Sequence, residues 1–196
     1  MAYNRTAALS YASQYYDKVC HDGKIALEKR VGGYPSTINN VKLTPGLPLS
    51  QLGTIADEGD CTHFLSCCVG QGPGGGINIQ SPFASSGVYG ETFAPRLVGA
   101  LVIRGAKLVR VGTGPQSQFM DFGSDATKAA IQNLRGGDVL AYSDKNTLDR
   151  GGVGAYEHMA LLLDSNCKIA CHTSPRYGLD YTDVWKFTYV TLLKMP

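Results

Sequence analysis

The last third of the chain consists of short apolar segments separated by polar turns, and this pattern limits the possible folds more than any other feature. The segments have five to seven residues each and are rich in the residues that favour β-strands. They span residues 138–142 (DVLAY), 158–163 (HMALLL), 168–172 (KIACH) and 187–193 (FTYVTLL). The turn Asp164-Ser165-Asn166 is too short for a crossover, so the second and third segments are predicted to form an antiparallel hairpin.

The rest of the chain is predicted to contain four helices, a short strand at 107–111 and long loops. The helices are predicted over 5–20 with Asn4 as N-cap, 61–69 with Asp60 as N-cap, 93–103, and 125–135 with Ser124 as N-cap. Helices in one part of a chain and antiparallel strands in another indicate an α+β fold. The 196 residues contain no internal repeat and no linker, so one domain over 1–196 is expected.

Two stretches are predicted to lack regular structure. The first begins at Gly32-Gly33-Tyr34-Pro35 and ends at Asp60. The second, residues 70–90, is rich in Gly, Pro and Ser and is predicted to be a mobile loop. Because it follows the 61–69 helix directly, we expect it near any cleft at that helix.

Charge and hydropathy exclude some classes of partner. The formal net charge is +2 and no run of Lys or Arg forms a phosphate-binding stripe, which argues against nucleic acid. No apolar stretch is long enough for a membrane span, and no basic-then-apolar leader follows Met1. Two explanations stay open: export by a specialised secretion machine to the cell wall or periplasm, or a domain cut from a larger protein.

Most of the six cysteines are predicted to be buried free thiols. They are Cys20, Cys61, Cys67, Cys68, Cys167 and Cys171. A chain of this size needs no disulfide staples, and no Cys-x-x-Cys pair is present for a zinc ribbon. A metal site from Cys167, Cys171 and His172 fits no standard zinc module, so neither a metal nor a cofactor is expected.

Cys61 is the candidate nucleophile. It follows a predicted N-cap and therefore lies in the first turn of a helix, where the helix dipole and unpaired N–H groups favour a thiolate. The same N–H groups can hold a developing oxyanion. The alternative for Cys61 is an ordinary core cysteine in an apolar segment.

A thiolate nucleophile needs a base, and the chain offers four histidines. His63 lies two residues after Cys61, so on a helix it points to another face, and His21 follows the first helix. His158 begins one predicted strand and His172 ends the next, across the turn. We therefore predict a constellation of Cys61 as nucleophile, His158 as base and His172 as the group that orients the base.

Several motifs resemble those of NlpC-type peptidases and related bacterial amidase domains. Residues 59–66 (GDCTHFLS) resemble the start of their nucleophile helix, and 137–142 (GDVLAY) resemble their Gly-Asp strand. Residues 158–164 (HMALLLD) are similar to their base-bearing strand, and His172-Thr173 occupies the place of their third polar residue. Tyr3-Asn4-Arg5 resembles the first helix of the amidase branch.

The resemblance implies a papain-like fold, in which a cysteine-bearing helix packs on an antiparallel sheet that bears both histidines. It implies hydrolysis of amide bonds, most often in peptidoglycan stem peptides, with an immunity or inhibitor protein as a possible partner of an exported toxin. Two other hypotheses stay open. One is a deamidase, isopeptidase or acyl transferase that acts on a protein, and the other is a binding module without catalysis.

Overall fold

A computed structural model gives the protein's structure for residues 2–31, 34–52, 60–79, 91, 93–113, 116–144, 156–172, 175–184 and 187–196. For residues 26–31 and 34–42 it describes the backbone alone. None of the helices in these ranges combines the length and the apolar character that a membrane span requires.

Four helices form where the sequence predicts them. They are α1 Arg5–Tyr15, α2 Cys61–Val69, α3 Ala94–Ile103 and α4 Asp125–Gln132. The Asn4 side chain accepts a hydrogen bond from the Ala7 N–H at 3.0 Å, and Ser124 Oγ accepts one from the Thr127 N–H at 3.2 Å. Each cap satisfies an N–H group that has no partner within its helix. α1 and α4 end before the predicted positions, at Tyr15 and Gln132.

The stretch from Gly32 to Asp60 was predicted to be irregular, and that prediction is wrong for residues 34–42, which form a strand. The region between α1 and α2 contains an antiparallel hairpin of β1 Lys24–Val31 and β2 Tyr34–Lys42. Lys24 pairs with Lys42 and Val31 pairs with Tyr34, so the hairpin uses almost the whole of both strands.

The predicted strands all belong to one seven-stranded sheet. Its members are β3 Lys107–Leu108, β4 Met120–Asp121, β5 Val139–Ser143, β6 His158–Leu162, β7 Lys168–Cys171, β8 Arg176–Asp180 and β9 Tyr189–Lys194. Their order is β3-β9-β5-β6-β7-β8, with β4 also paired to β9, and every pairing is antiparallel. Helices and a separate antiparallel sheet make the fold α+β, as predicted. β4 and β8 were not predicted.

Both faces of the sheet are covered. Along β6, Met159 and Leu161 join the apolar cluster that includes residues of α1, α2 and α3. Ala160 and Leu162 join a second cluster with Ile131 of α4. This alternation is the period of two that a strand buried on both sides requires. We call the side of Met159 and Leu161 the α2 face and the other side the α4 face.

A partly buried ion pair joins the N-terminus of α1 to the start of β5. Arg5 Nη1 lies 2.7 Å from Asp138 Oδ1, and the carboxylate also accepts the backbone N–H groups of Arg135 and Met195. Arg5 Nη2 donates to the Met195 carbonyl at 2.6 Å, and Tyr3 Oη donates to the Gly137 carbonyl at 2.6 Å. Two of the sequence motifs, 3–5 and 137–142, therefore contact each other.

Residues 71–79, part of the stretch predicted to be a loop, form neither a helix nor a strand and are held by backbone hydrogen bonds. The Gly75 N–H donates to the Cys68 carbonyl at 2.8 Å, and the Asn4 N–H donates to the Gly75 carbonyl at 2.8 Å. A Cβ on Gly74 would lie 2.1 Å from the Cys67 carbonyl oxygen, so glycine is needed for this close approach. The segment packs on the C-terminal end of α2, away from Cys61, and residues 80–90 lie outside the described residues.

Candidate active site

Cys61 is the first residue of α2, as the sequence predicts. Its exposed fraction is 4%, whereas the other five cysteines are 0% exposed, and all six are free thiols. Its Sγ lies 3.8 Å from Thr62 Oγ1. The position at a helix N-terminus favours a thiolate and provides backbone N–H groups for an oxyanion.

Asp60 precedes α2 but does not cap it with its side chain. Instead its carboxylate lies between two histidines, with Oδ1 3.0 Å from His63 Nδ1 and Oδ2 2.6 Å from His172 Nδ1. Burial opposes ionisation of Asp60, but the charge of His63 and the hydrogen bonds from both histidines outweigh it and lower the carboxyl pKa to about 2. Asp60 is therefore a buried anion at neutral pH.

His172 does not orient His158, which corrects the prediction. Its Nδ1 donates to Asp60, and its Nε2 donates to the Tyr15 carbonyl at 2.7 Å. The ring stacks on Phe64 of α2 with 4.0 Å between centroids. His172 thus lies on the α2 face and holds the start of α2 against the end of α1.

One residue in the β6–β7 turn explains the error. A three-residue turn over 164–166 would pair His158 with His172. In the structure Leu162 pairs with Ile169 and Leu161 with Ala170, so the turn includes a fourth residue, Cys167. Cys167 adopts a left-handed conformation with φ of 63°. A shift of one residue moves a side chain to the opposite face of a sheet.

His158 begins β6 and projects from the α4 face. It pairs with Tyr142, and its ring lies 5.5 Å from the Tyr142 ring and 5.9 Å from the Phe187 ring. The Asp60–His172 hydrogen bond holds the start of α2 next to the end of β7. Because β6 and β7 are antiparallel, β6 begins at this same edge of the sheet. Cys61 and His158 therefore occupy the same end of the sheet.

His63 was dismissed as a base for Cys61, and the structure gives it other contacts. Its Nδ1 donates to Asp60, and its Nε2 lies 3.0 Å from Asp22 Oδ2 and 3.6 Å from Cys67 Sγ. Burial would lower the His63 pKa, but the charge of Asp60 and the hydrogen bonds to both carboxylates raise it well above its ordinary value.

The contacts among Cys67, His63 and Asp60 follow the order of a catalytic triad, yet Cys67 is 0% exposed. Cys61 keeps an exposed fraction of 4% at the start of the same helix and is therefore the better candidate nucleophile. The spacing in the sequence could have revealed this arrangement. Asp60 lies three residues before His63 and Cys67 lies four residues after it, which places all three on one side of α2.

Cys20, His63 and Cys67 bring three potential metal ligands within 4.8 Å of one another, all fully buried. With Asp22 we call them the Cys20 cluster. A second group with atoms at this spacing consists of Cys20, Asp60 and His172. The alternative weighed from the sequence is not assembled, because Cys167 and Cys171 belong to the α4-face cluster whereas His172 lies on the α2 face.

Comparison with known proteins gives no family for the chain. No family model matches the sequence, and neither a curated protein nor a solved structure matches the chain. The evidence for the chemistry of Cys61 and His158 is therefore the contacts of the site residues and the motif resemblance.

Proposed function

We propose that the protein is a cysteine amidase or endopeptidase of papain-like fold, with Cys61 as nucleophile and His158 as base. One observation carries the proposal. The most exposed of the six thiols stands at the N-terminus of a helix, and the Asp60–His172 hydrogen bond holds this N-terminus at the end of the sheet where His158 begins β6.

In the proposed reaction, His158 takes the proton of the Cys61 thiol and the thiolate attacks the carbonyl carbon of an amide. The N–H groups of the first turn of α2 stabilise the oxyanion. The protonated imidazole then gives its proton to the leaving amine, and water hydrolyses the thioester to regenerate the thiol. Neither a metal nor a cofactor takes part.

His172 and Asp60 act as positioning residues in this scheme. They fix where α2 begins and hence where the Cys61 sulfur lies. The His158 ring projects from the α4 face whereas α2 packs on the other face, so the proposal requires the ring to reach Cys61 around the end of β6. The Cys61–His158 pair is therefore the part of the proposal that variants must test most strictly.

The proposed substrate class is the peptidoglycan stem peptide, supported by the motif resemblance. The test is digestion of purified sacculi with the wild type, Cys61→Ala, His158→Gln and the matched control Cys68→Ser, with fragments identified by mass spectrometry. We expect stem-peptide fragments from the wild type and Cys68→Ser, and none from the other two variants.

Each other outcome identifies a different error. Equal release by Cys61→Ala and the wild type would refute the nucleophile. Release by His158→Gln with none by Cys61→Ala would refute the base alone. An absence of fragments from every protein, with Cys61-dependent cleavage or deamidation of a protein substrate, would move the proposal to the protein-directed alternative.

A further inference from the structure

The Cys20 cluster joins two parts of the chain that are far apart in sequence. Cys20 and Asp22 lie between α1 and β1, and His63 and Cys67 lie on α2. Cys20, His63 and Cys67 are 0% exposed, and the Asp22 side chain is 8% exposed. Two thiols, an imidazole and a carboxylate are a costly set to bury without a further partner.

We propose that this cluster binds one zinc ion in a closed, structural site. The four ligands are Cys20 Sγ, Cys67 Sγ, His63 Nε2 and Asp22 Oδ2. Zinc prefers this mixture of sulfur, nitrogen and oxygen donors, and four protein ligands complete its tetrahedral shell. The site is separate from the reaction proposed for Cys61, because no ligand position is left for water or substrate.

The distances to His63 Nε2 are close to those of such a shell. Asp22 lies outside the group of three residues whose donor atoms are all within 4.8 Å of one another, so its carboxylate moves towards the thiols when zinc binds. Ordinary zinc–ligand bonds place a sulfur and a nitrogen ligand about 3.6 Å apart and a nitrogen and an oxygen ligand about 3.3 Å apart. Cys67 Sγ lies 3.6 Å from His63 Nε2, and Asp22 Oδ2 lies 3.0 Å from the same nitrogen. Cys20 presents its donor atom within 4.8 Å of both other ligands on α2.

The second ligand shell is also present. His63 Nδ1 donates to Asp60 Oδ1 at 3.0 Å, which leaves Nε2 as the nitrogen that faces the thiols. A carboxylate on the far nitrogen of a metal-bound histidine fixes the ring and its tautomer. Asp60 is itself held by His172, so the support extends to the Tyr15 carbonyl.

The other group with ligand spacing is a poorer candidate. In the Cys20, Asp60 and His172 group, both oxygens of Asp60 already accept hydrogen bonds from histidines. Both nitrogens of His172 are also engaged, by Asp60 and by the Tyr15 carbonyl. These are three hydrogen bonds in all, and a metal there would have to displace some of them. A metal in the Cys20 cluster replaces the contacts of His63 Nε2 with Asp22 and Cys67, and both of these residues then become ligands.

Binding balances as an exchange of protons for zinc. Each of the two thiols loses a proton, and His63 loses the Nε2 proton that it donates to Asp22 in a hydrogen bond. All three protons leave to the solvent. One zinc ion therefore displaces three protons from the cluster. This makes zinc affinity increase as pH rises, as expected for ligands that must deprotonate.

The test is titration of the reduced, metal-stripped full chain with Co²⁺ and then Zn²⁺ against a chromophoric chelator. We expect the chain to bind one equivalent of Co²⁺. The bound Co²⁺ should give thiolate-to-cobalt charge-transfer absorption and tetrahedral ligand-field bands, and Zn²⁺ should abolish both by displacing it. Cys20→Ser and Cys67→Ser should each bind more than about 100-fold more weakly, which exceeds the loss usual for an outer-shell residue. The matched control Cys68→Ser and the nucleophile variant Cys61→Ala should bind as the wild type does.

Asp60→Asn gives a second readout if a thiol variant does not fold, since it should weaken binding by about 10–100-fold through the outer shell. Absence of the charge-transfer band in folded wild type would overturn the proposal. Equal losses in Cys68→Ser and Cys67→Ser would also overturn it. A Cys20–Cys67 disulfide in the protein as isolated, shown by a mass two hydrogens lower than after reduction, would assign the cluster to redox chemistry instead.

Discussion

Two buried carboxylates stand at opposite ends of the structure, and their partners differ in kind. Asp138 pairs with Arg5, a guanidinium that stays charged at every accessible pH, and accepts two backbone N–H groups. Asp60 pairs with two imidazoles, those of His63 and His172. The first pair is a permanent clamp between the chain termini and the sheet. The second holds the candidate nucleophile with an arrangement that protons or a metal can alter.

The largest effect should come from breaking the permanent clamp. Arg5→Ala leaves the Asp138 carboxylate buried without its charged partner, so the free energy of unfolding should fall by about 3–5 kcal/mol. Arg135→Ala is the matched control, because Asp138 accepts the Arg135 backbone N–H and the side chain is exposed. Urea unfolding of the two variants measures the difference. If the two variants have the same free energy of unfolding, the Arg5–Asp138 ion pair contributes little to stability.

Asp60→Asn should cost somewhat less, about 2–3 kcal/mol, because an amide accepts one of the two histidine N–H groups and opposes the other with its own donor. The exposed Asp125→Asn variant, in the first turn of α4, should lose less than about 1 kcal/mol. The measurement is the same unfolding series. A loss at Asp60 no greater than that at Asp125 would contradict the two-histidine arrangement.

Acid should weaken the Asp60 arrangement. The folded pKa of Asp60 is about 2 and the ordinary value is 3.8, so its stabilisation is present above about pH 4 and is lost as pH falls towards 2. The loss is on the order of 2 kcal/mol. His63 acts in the opposite sense, because its raised pKa gives stabilisation below about pH 6.5 that declines at higher pH.

These two trends predict that the metal-free protein is most stable between about pH 4 and 6.5. Chemical unfolding of chelator-treated protein across this range checks the prediction. Asp60→Asn should show a flatter dependence below pH 4. If its profile has the same acid limb as the wild type, other groups govern the acid loss.

The smallest effect concerns His172. His172→Asn keeps a donor towards Asp60 but loses the bond to the Tyr15 carbonyl and part of the contact with Phe64, so we expect a loss of about 1–2 kcal/mol. His172→Ala should lose more, because it also leaves one Asp60 oxygen without its donor. Turnover of the Asn variant should fall only modestly, with the pH profile of kcat unchanged. A shifted profile would instead mean that His172 contacts the reacting groups.

The sequence predicted the elements that local chemistry determines. Asn4 and Ser124 cap their helices as expected, because a cap depends on residues three positions apart. Asp60 precedes α2 at the predicted residue, yet its carboxylate binds two histidine rings rather than the helix backbone. One of these, His172, is 112 residues away, and no local pattern could reveal that partner.

The missed features depend on register and on long-range contacts. β2 was missed because the glycines before it and Pro35 within it favoured a loop, and its pairing with β1 was not predicted. His172 was assigned to the wrong face because Cys167 adds a residue to the β6–β7 turn. His63 was set aside because of its position relative to Cys61. Its partner Cys67 lies one turn further along α2, and its partner Asp22 lies in the segment between α1 and β1, which the fold brings against α2.

The central claim is that Cys61 is a thiolate nucleophile activated by His158, and alkylation kinetics test it without any knowledge of the substrate. The rate of iodoacetamide modification at Cys61 is measured by peptide mass spectrometry across pH in the wild type and His158→Gln. We predict a wild-type rate that stays high below pH 7, and a variant rate that rises only towards the ordinary thiol pKa of about 8.5. Superimposable profiles for the two proteins would contradict the account.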